Sequence, residues 1–310
     1  NPILFYADYS IKDACCAWHQ GVFHLFFSVF DEQRSAVASV STRDMIRFSD
    51  FIFCLDGQAE GFIGMCSPDL VQVVDGYVLT FNSWGDKPES PNQLFFKWST
   101  DLVNWGDRHP LAPNLTSGAR AIDAAVACAG NAWYLVYKKE QSRRPVIAAA
   151  PSLDGPWGQV AESGAQFFMA GGRESELSHE NFQFIQIDSR WRLLCTDYAA
   201  RGGVSHHPYL YTISGTGEGP EDWLRWEDGY RLEIPAESFN TLSRDNAAAL
   251  CDWREHDGFF YLIYAGNDEE RQFEFCGRAS GRPWPRGWNK LGLARSRDLV
   301  QWHVPGVIHS

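Results

Sequence analysis

Five stretches of the chain share one pattern of apolar and polar positions. In residues 178–196, apolar residues alternate with polar ones up to Ile187, a polar turn follows at Asp188, and a second apolar run begins at Trp191. Alternation with a period of two, interrupted by turn residues, predicts two antiparallel strands joined by a tight turn. The other four stretches have the same order of acid, apolar strand, turn and aromatic-rich strand, and begin at Lys12, Ser67, Ile122 and Arg244.

The spacing of these stretches predicts the fold class. The acids that introduce them lie 54 to 65 residues apart, and a repeat of that length with strand content alone is typical of radial β repeats. Five units predict an all-β, five-bladed β-propeller. A β-sandwich is the alternative, but a sandwich does not need acids at one phase of the repeat. The five acids, near which the blades begin, are Asp13, Asp69, Asp123, Glu180 and Asp245.

The repeat extends over almost the whole chain, so we predict a single propeller domain covering residues 1–310. A second motif, Ser-x-Asp or a close variant followed by a downstream Trp, recurs between the stretches. The first ten residues predict a lead-in strand that pairs with the last blade and closes the ring. The second motif begins at Ser41, Ser99, Ser152 and Ser296, and its tryptophans are Trp105, Trp157 and Trp302.

Composition narrows the classes of function. The chain has 310 residues, of which 45% are hydrophobic, so it can bury a sizeable core. Its formal net charge is -12 and argues against nucleic acid, which binds to a basic face. No signal peptide or membrane span is recognisable, but a leader could precede Asn1, so the compartment stays open. Eight cysteines show no metal-like spacing, and four in apolar runs are predicted as core residues: Cys15, Cys128, Cys195 and Cys251.

At these positions the chain resembles the five-bladed β-propeller glycoside hydrolases of family 43, which are related to the invertase-like family 32. The resemblance covers essentially the whole chain and implies a glycosidase acting on an oligo- or polysaccharide. It further implies that Asp13 is the general base, Glu180 the general acid, and Asp123 the residue that tunes and orients the acid. The matching positions are Asp13, Ser67-Pro68-Asp69, Ile122-Asp123, Glu180 and Asp245-Asn246.

Three positions depart from the family pattern. Ala14 replaces the usual Pro, Cys66 replaces a Trp, and Asn246 stands where many relatives have a His that helps to hold a channel metal. The resemblance alone implies a structural calcium in the channel, and we predict no metal ligand. The pair His206-His207 has no third ligand at useful spacing and is interpreted as a polar rim.

The chemistry of these acids also fits glycoside hydrolysis directly, because one carboxyl group protonates the leaving oxygen while a second activates water. We predict inversion of the anomeric centre and exo action. For Asp69 the alternative is a structural role, a bond to backbone N–H groups of the next blade. The basic residues that neighbour these acids have two interpretations. They form ion pairs that stiffen the channel, or they recognise a sugar carboxylate such as that of a uronic acid.

The rival classes of function are a non-catalytic propeller that binds glycans or proteins, and a phosphorylase or transferase. Predicted substrate-binding residues are Lys12, Asp69, Trp84, Arg120, His179, His207, Arg244, Asp245 and Asn246.

Overall fold

The structure is a computed structural model and describes residues 1–6, 9–31, 34–58, 61–85, 91–139, 142, 144–198, 206–240, 246–266 and 290–305. Most of these residues lie in β-strands, which form the five blades of a propeller, as the repeat predicts. The lead-in strand is β1 (Leu4–Phe5). Blade one contains β2 (Ser10–His19), β3 (Val22–Phe30), β4 (Ser35–Thr42) and β5 (Ile52–Leu55). Blade two contains β6 (Gly64–Val73), β7 (Gly76–Trp84), β8 (Leu94–Ser99) and β9 (His109–Pro110).

The other three blades follow in chain order. Blade three contains β10 (Ala121–Ala129), β11 (Ala132–Lys139), β12 (Val146–Ala150) and β13 (Gly158–Gln159). Blade four contains β14 (Gln166–Met169), β15 (Ser178–Ile187), β16 (Arg190–Tyr198), β17 (Pro208–Ile213) and β18 (Arg225–Arg231). Blade five contains β19 (Asn246–Trp253), β20 (Phe259–Gly266), β21 (Lys290–Ser296) and β22 (Trp302–His303). The short helices are α1 (Pro113–Thr116), α2 (Arg254–Asp257) and a 3-10 turn (Pro220–Leu224).

The blades are antiparallel meanders with two variations at their outer edges. In blade four, β14 adds to the outer edge as a parallel partner of β18. In blade five, β1 and β22 both pair with β21. The lead-in strand therefore pairs with the last blade as predicted, although only Leu4 and Phe5 form it. The side chain of Asn1 extends this contact, because its Nδ2 donates to the carbonyl of Leu293 at 2.8 Å.

Apolar contacts between neighbouring blades hold the ring together. A separate buried cluster lies between each adjacent pair, and the cluster between blades five and one joins Ile263 and Leu291 to Leu25 and Phe27. Each blade thus buries both faces against its neighbours, which explains why both strands of every repeated stretch are apolar. No helix among the described residues is long and apolar enough to cross a membrane.

The cysteine prediction holds for three of four residues. Cys15, Cys195 and Cys251 are buried, with 2%, 1% and 7% of their surface exposed. Cys128 is exposed, so its prediction as a core residue was wrong. It lies at the end of β10 beside the hairpin turn, where the strand projects beyond the packed part of the blade.

The second repeated motif forms a turn at the outer part of a blade. In blade two, Ser99 Oγ accepts the N–H groups of Asp101 and Leu102, and the carboxylate of Asp101 accepts those of Val103 and Asn104. The same bonds recur around Ser296 in blade five. These bonds satisfy backbone groups that the turn would otherwise leave unpaired, so the motif is structural.

Candidate active site

A β-bulge interrupts the innermost strand of every blade near its start. In blade one the register shifts between Lys12 and Cys15, and corresponding shifts occur in the other four. The bulge residue has a positive φ in four blades, including 55° at Asp13 and 58° at Asp123. A left-handed backbone is uncommon for residues other than glycine, and bulges re-aim side chains next to active sites.

The bulges also show that the acids do not share one phase of the repeat. Asp13 and Asp123 occupy the bulge position itself, whereas Asp69 lies two residues beyond it and Glu180 one residue before it. The prediction of a single phase was therefore wrong for these two residues. Because a strand rises about 3.3 Å per residue, Glu180 lies nearer the mouth of the channel and Asp69 lies deeper.

Asp13 is a buried carboxylate with two hydrogen-bond donors. It is 3% exposed, Ser28 Oγ donates to Oδ2 at 2.7 Å, and Asn181 Nδ2 donates to Oδ1 at 3.2 Å. The ammonium of Lys12 lies 4.0 Å from Oδ1. Burial raises the pKa of Asp13 in spite of the charge of Lys12 and the bond from Ser28. A buried carboxylate with a raised pKa is a better proton acceptor than an ordinary aspartate.

Asp123 is fixed through its backbone N–H, and its carboxyl group interacts electrostatically with Glu180. Its N–H donates to Asn82 Oδ1 at 3.0 Å, which fixes the bulge. Burial, followed by the nearby negative charge of Glu180, raises the pKa of Asp123 to about 6, and the ammonium of Lys138 opposes this rise. Asp123 therefore holds a proton more firmly than an ordinary aspartate does.

Glu180 has a basic group on each carboxylate oxygen. Lys138 Nζ lies 2.5 Å from Oε2 and His206 Nε2 lies 3.4 Å from Oε1. Burial favours the neutral acid, but the hydrogen bond from His206 and the charge of Lys138 outweigh it and lower the pKa to about 2. A general acid needs a raised pKa, and this lowered pKa is the opposite, because the cations lie in direct contact with the carboxylate.

Asp69 lies deeper in the channel and is 7% exposed. It lines a cavity of about 20 Å³ together with Asp13, Ser67 and Asp123, and this volume is room for one water molecule. Burial raises the pKa of Asp69 to about 8, although its carboxylate accepts the N–H of Leu70. Leu70 follows Asp69 in the same strand, so this bond is not the contact with the next blade that the structural alternative predicts.

Asp69→Asn is expected to stabilise the protein at neutral pH. Unfolded Asp69 ionises near pH 3.8 but the folded residue keeps its proton to about pH 8, so its contribution falls as pH rises between these values. The amide stays neutral at every pH. We expect the free energy of unfolding to exceed that of the wild type by about 2–4 kcal/mol at pH 7.5 and by little at pH 4.5. Urea unfolding of both proteins at both pH values measures this, and an equal difference at the two pH values would contradict it.

An aromatic wall with two cations borders the acids on the side of blades one to three. Phe30 and Trp84 belong to one small cluster. Lys12 lies 5.6 Å from the ring centre of Phe30, and the guanidinium of Arg120 lies 5.3 Å from that of Trp84. Of the residues predicted as substrate-binding, Lys12 therefore lies beside Asp13, and Arg120 packs against Trp84.

The predicted histidines lie elsewhere in blade four. His179 is 4% exposed, stacks on Phe167 at 4.3 Å and bonds to Tyr211 at 2.9 Å. Burial lowers its pKa to about 4, so it is a neutral ring within the blade and has no described contact with the acids. His207 pairs with Asp197, with 3.6 Å between Nδ1 and Oδ1. Of the blade-five residues, Arg244, Asp245 and the side chain of Asn246 lie outside the part of the chain that is described.

The described residues do not fit the channel metal that the resemblance implies. Within the described ranges, no group of three His, Cys, Asp or Glu side chains lies close enough to share a metal ion. We therefore derive no step through a metal.

Sequence reasoning missed the two residues that contact Glu180. Lys138 ends the aromatic-rich second strand of blade three, and its position opposite Ile122 corresponds to Asn82 in blade two. The sequence contained a signal for Lys138, because a charged residue stands there at a position where blade two has the neutral Asn82. The sequence analysis predicts His207, and not His206, as substrate-binding, because spacing alone does not tell which histidine of the pair faces the acids.

Comparison with known proteins establishes the fold. No protein-family model matches the sequence, and no curated protein matches it either. Solved structures do match. They include a thermostable family-43 glycoside hydrolase with 12% identity and a TM-score of 0.63, covering 99% of this chain and 96% of that one. The five-bladed propeller fold predicted by resemblance to family 43 is thus confirmed.

Two further structures show the breadth of this fold class. An exo-1,5-α-L-arabinanase from a bovine ruminal metagenomic library has 12% identity and a TM-score of 0.65, covering 98% of this chain and 100% of that one. A member of family 130, described as mannoside phosphorylases that include hydrolases of β-1,2 mannosidic linkages in Candida mannan, has 12% identity and a TM-score of 0.68, covering 99% and 94%. At such identity the likeness concerns the fold.

Proposed function

We propose that this protein is a glycoside hydrolase that cleaves a glycosidic bond in an oligo- or polysaccharide by an exo-acting, inverting mechanism. One observation carries the proposal. Carboxylates from three blades, Asp13, Asp123 and Glu180, are close enough at one end of the channel for the charge of each to affect the pKa of another. Grouped carboxylates with divergent proton affinities suit acid–base work on a glycosidic bond.

In the proposed reaction Glu180 donates its proton to the leaving oxygen as the bond between that oxygen and the anomeric carbon breaks. Asp13 accepts a proton from the water whose oxygen forms the new bond to that carbon. The products leave Glu180 ionised and Asp13 protonated, and exchange with solvent restores both. Asp123 tunes and orients the acid. Inversion requires the two reacting carboxyl groups to stand about 6.5–9.5 Å apart, whereas about 5–5.5 Å suits retention.

The resting site favours ionised Glu180, so the reaction requires this residue to gain a proton. A sugar that fills the mouth excludes water around Glu180, and desolvation favours its neutral form. Lys138 and His206 oppose this protonation, and we therefore propose that the enzyme works best at acidic pH.

A panel of aryl glycosides and plant or algal oligosaccharides tests this function. The panel includes a uronide, because Lys12 and Arg120 suit a carboxylate, and each assay is run with and without inorganic phosphate. The double variant Asp13→Asn/Glu180→Gln, purified in the same way, controls for contaminating glycosidases. Sugar released by the wild type alone supports the proposal, and NMR of the first product anomer reports inversion. Release only with phosphate would indicate a phosphorylase. No release together with binding on a glycan array would favour the non-catalytic propeller.

A further inference from the structure

Lys138 occupies a position that recurs in every blade. It lies on β11 opposite Ile122, and the register places Ser28, Asn82, Thr196 and Ala265 at the corresponding points of the other second strands. Lys138 is therefore the charged member of a ring of small or neutral residues. Its side chain is 24% exposed and that of its partner Glu180 is 13% exposed.

In blades one and two the residue at the ring position has a structural role that a lysine cannot perform. Ser28 Oγ accepts the N–H of Ser67, the bulge residue of the next blade, at 2.8 Å. Asn82 Oδ1 accepts the N–H of Asp123, the bulge residue of blade three, at 3.0 Å. An ammonium has three donors and no acceptor, so Lys138 cannot bond the bulge N–H of blade four in this way. Its ammonium instead reaches Glu180 Oε2 at 2.5 Å.

We propose that Lys138 is a positioning residue for Glu180. The ammonium of Lys138 holds Oε2 of Glu180, so that Oε1 is the oxygen that carries the proton to the sugar. This inference rests on the proposed function. A charge-assisted bond to one oxygen restricts rotation of the carboxyl group, and the other oxygen, 3.4 Å from His206 Nε2, is then the one that can be protonated without displacing the ammonium.

The charges around Glu180 predict how removal of Lys138 changes the pKa of Glu180. Lys138 from β11 and His206, which precedes β17, favour ionised Glu180. Asp123 from β10 and Asp13 from β2 add negative charge to the cluster. Lys138 itself also faces Asp123 and Arg120. Without the ammonium, burial and the two carboxylates act against His206 alone, so Glu180 should take up a proton at higher pH.

The test is a titration of Glu180 itself, by NMR of protein labelled with ¹³C at the glutamate carboxyl groups. Glu180→Gln assigns the signal, and Lys139→Met, the next residue along β11, is the matched control. An opposite charge at this range lowers a carboxyl pKa by about 1–3 units. We therefore expect the midpoint of Glu180 to rise by about 1–3 pH units in Lys138→Met and to stay near that of the wild type in Lys138→Arg and Lys139→Met. Lys138→Gln replaces the Met variant if the latter does not fold.

Enzyme kinetics supply the second readout. The pKa of Glu180 lies below that of Asp13 in the wild type, so the acidic limb of the pH profile of kcat/KM follows Glu180. This limb should move upward in Lys138→Met, and Lys138→Arg should restore it. An unchanged midpoint of Glu180 in Lys138→Met would overturn the inference, as would a uniform loss of activity at every pH. Absence of hydrolysis by the wild type would instead refute the proposed function, and the carboxyl titration would still decide whether Lys138 holds Glu180.

Discussion

Glu180→Gln is expected to lower kcat/KM by about 10²–10⁴ on natural saccharides, because general acid catalysis contributes that much. The loss should depend on the leaving group. A sugar alkoxide must be protonated as it leaves, whereas a dinitrophenolate leaves without help, so dinitrophenyl glycosides should retain most of their rate. Asp13→Asn, which removes the base that activates water, should lower kcat/KM on both substrate types by the same order.

The measurement is a comparison of kcat/KM for the two variants on a saccharide and on the matching dinitrophenyl glycoside. Asp154→Asn, in an exposed turn of blade three, is the matched control and should behave as the wild type. Circular dichroism and urea unfolding verify that the variants keep the fold. Equal losses on both substrates for Glu180→Gln would refute its role as the acid, and an active Asp13→Asn would refute the role of Asp13.

Trp223→Ala is expected to be the most destabilising of the changes considered. Trp223 is fully buried between blades three and four and stacks on Tyr134, with ring centres 4.1 Å apart. Its indole N–H donates to the carbonyl of Gly217 at 3.1 Å. Truncation leaves a large cavity and an unpaired carbonyl, so we expect the free energy of unfolding to fall by about 3–5 kcal/mol.

Denaturant unfolding monitored by circular dichroism measures this loss. Trp223→Phe keeps the stacked ring and loses the hydrogen bond, so it should lie between Trp223→Ala and the wild type. Val74→Ala, at a fully exposed position, removes two carbons without leaving a cavity and should unfold as the wild type does. A stability of Trp223→Ala equal to that of Val74→Ala would mean that the contact between blades three and four contributes little.

Periodicity made the fold predictable, because each repeated stretch must bury both strands against the neighbouring blades. The same logic located Asp13 and Asp123, which occupy equivalent bulges in blades one and three. It gave the wrong position within the repeat for Glu180 and Asp69. A bulge inserts one residue and shifts the residues that follow, and the apolar pattern does not reveal this shift. It also grouped His179 with the site on the basis of adjacency to Glu180. Adjacent residues of a strand face opposite ways, and His179 packs within the blade.

Local alternation and spacing along the chain were enough to predict the number of blades, the strand pairs within them, the pairing of the first residues with the last blade and a group of acids in the channel. Which charges meet depends on the folded structure. Lys138 and His206 come from different blades to the two oxygens of Glu180. The proton affinity of a carboxylate depends on the few ångströms around it, and those neighbours are distant in the chain.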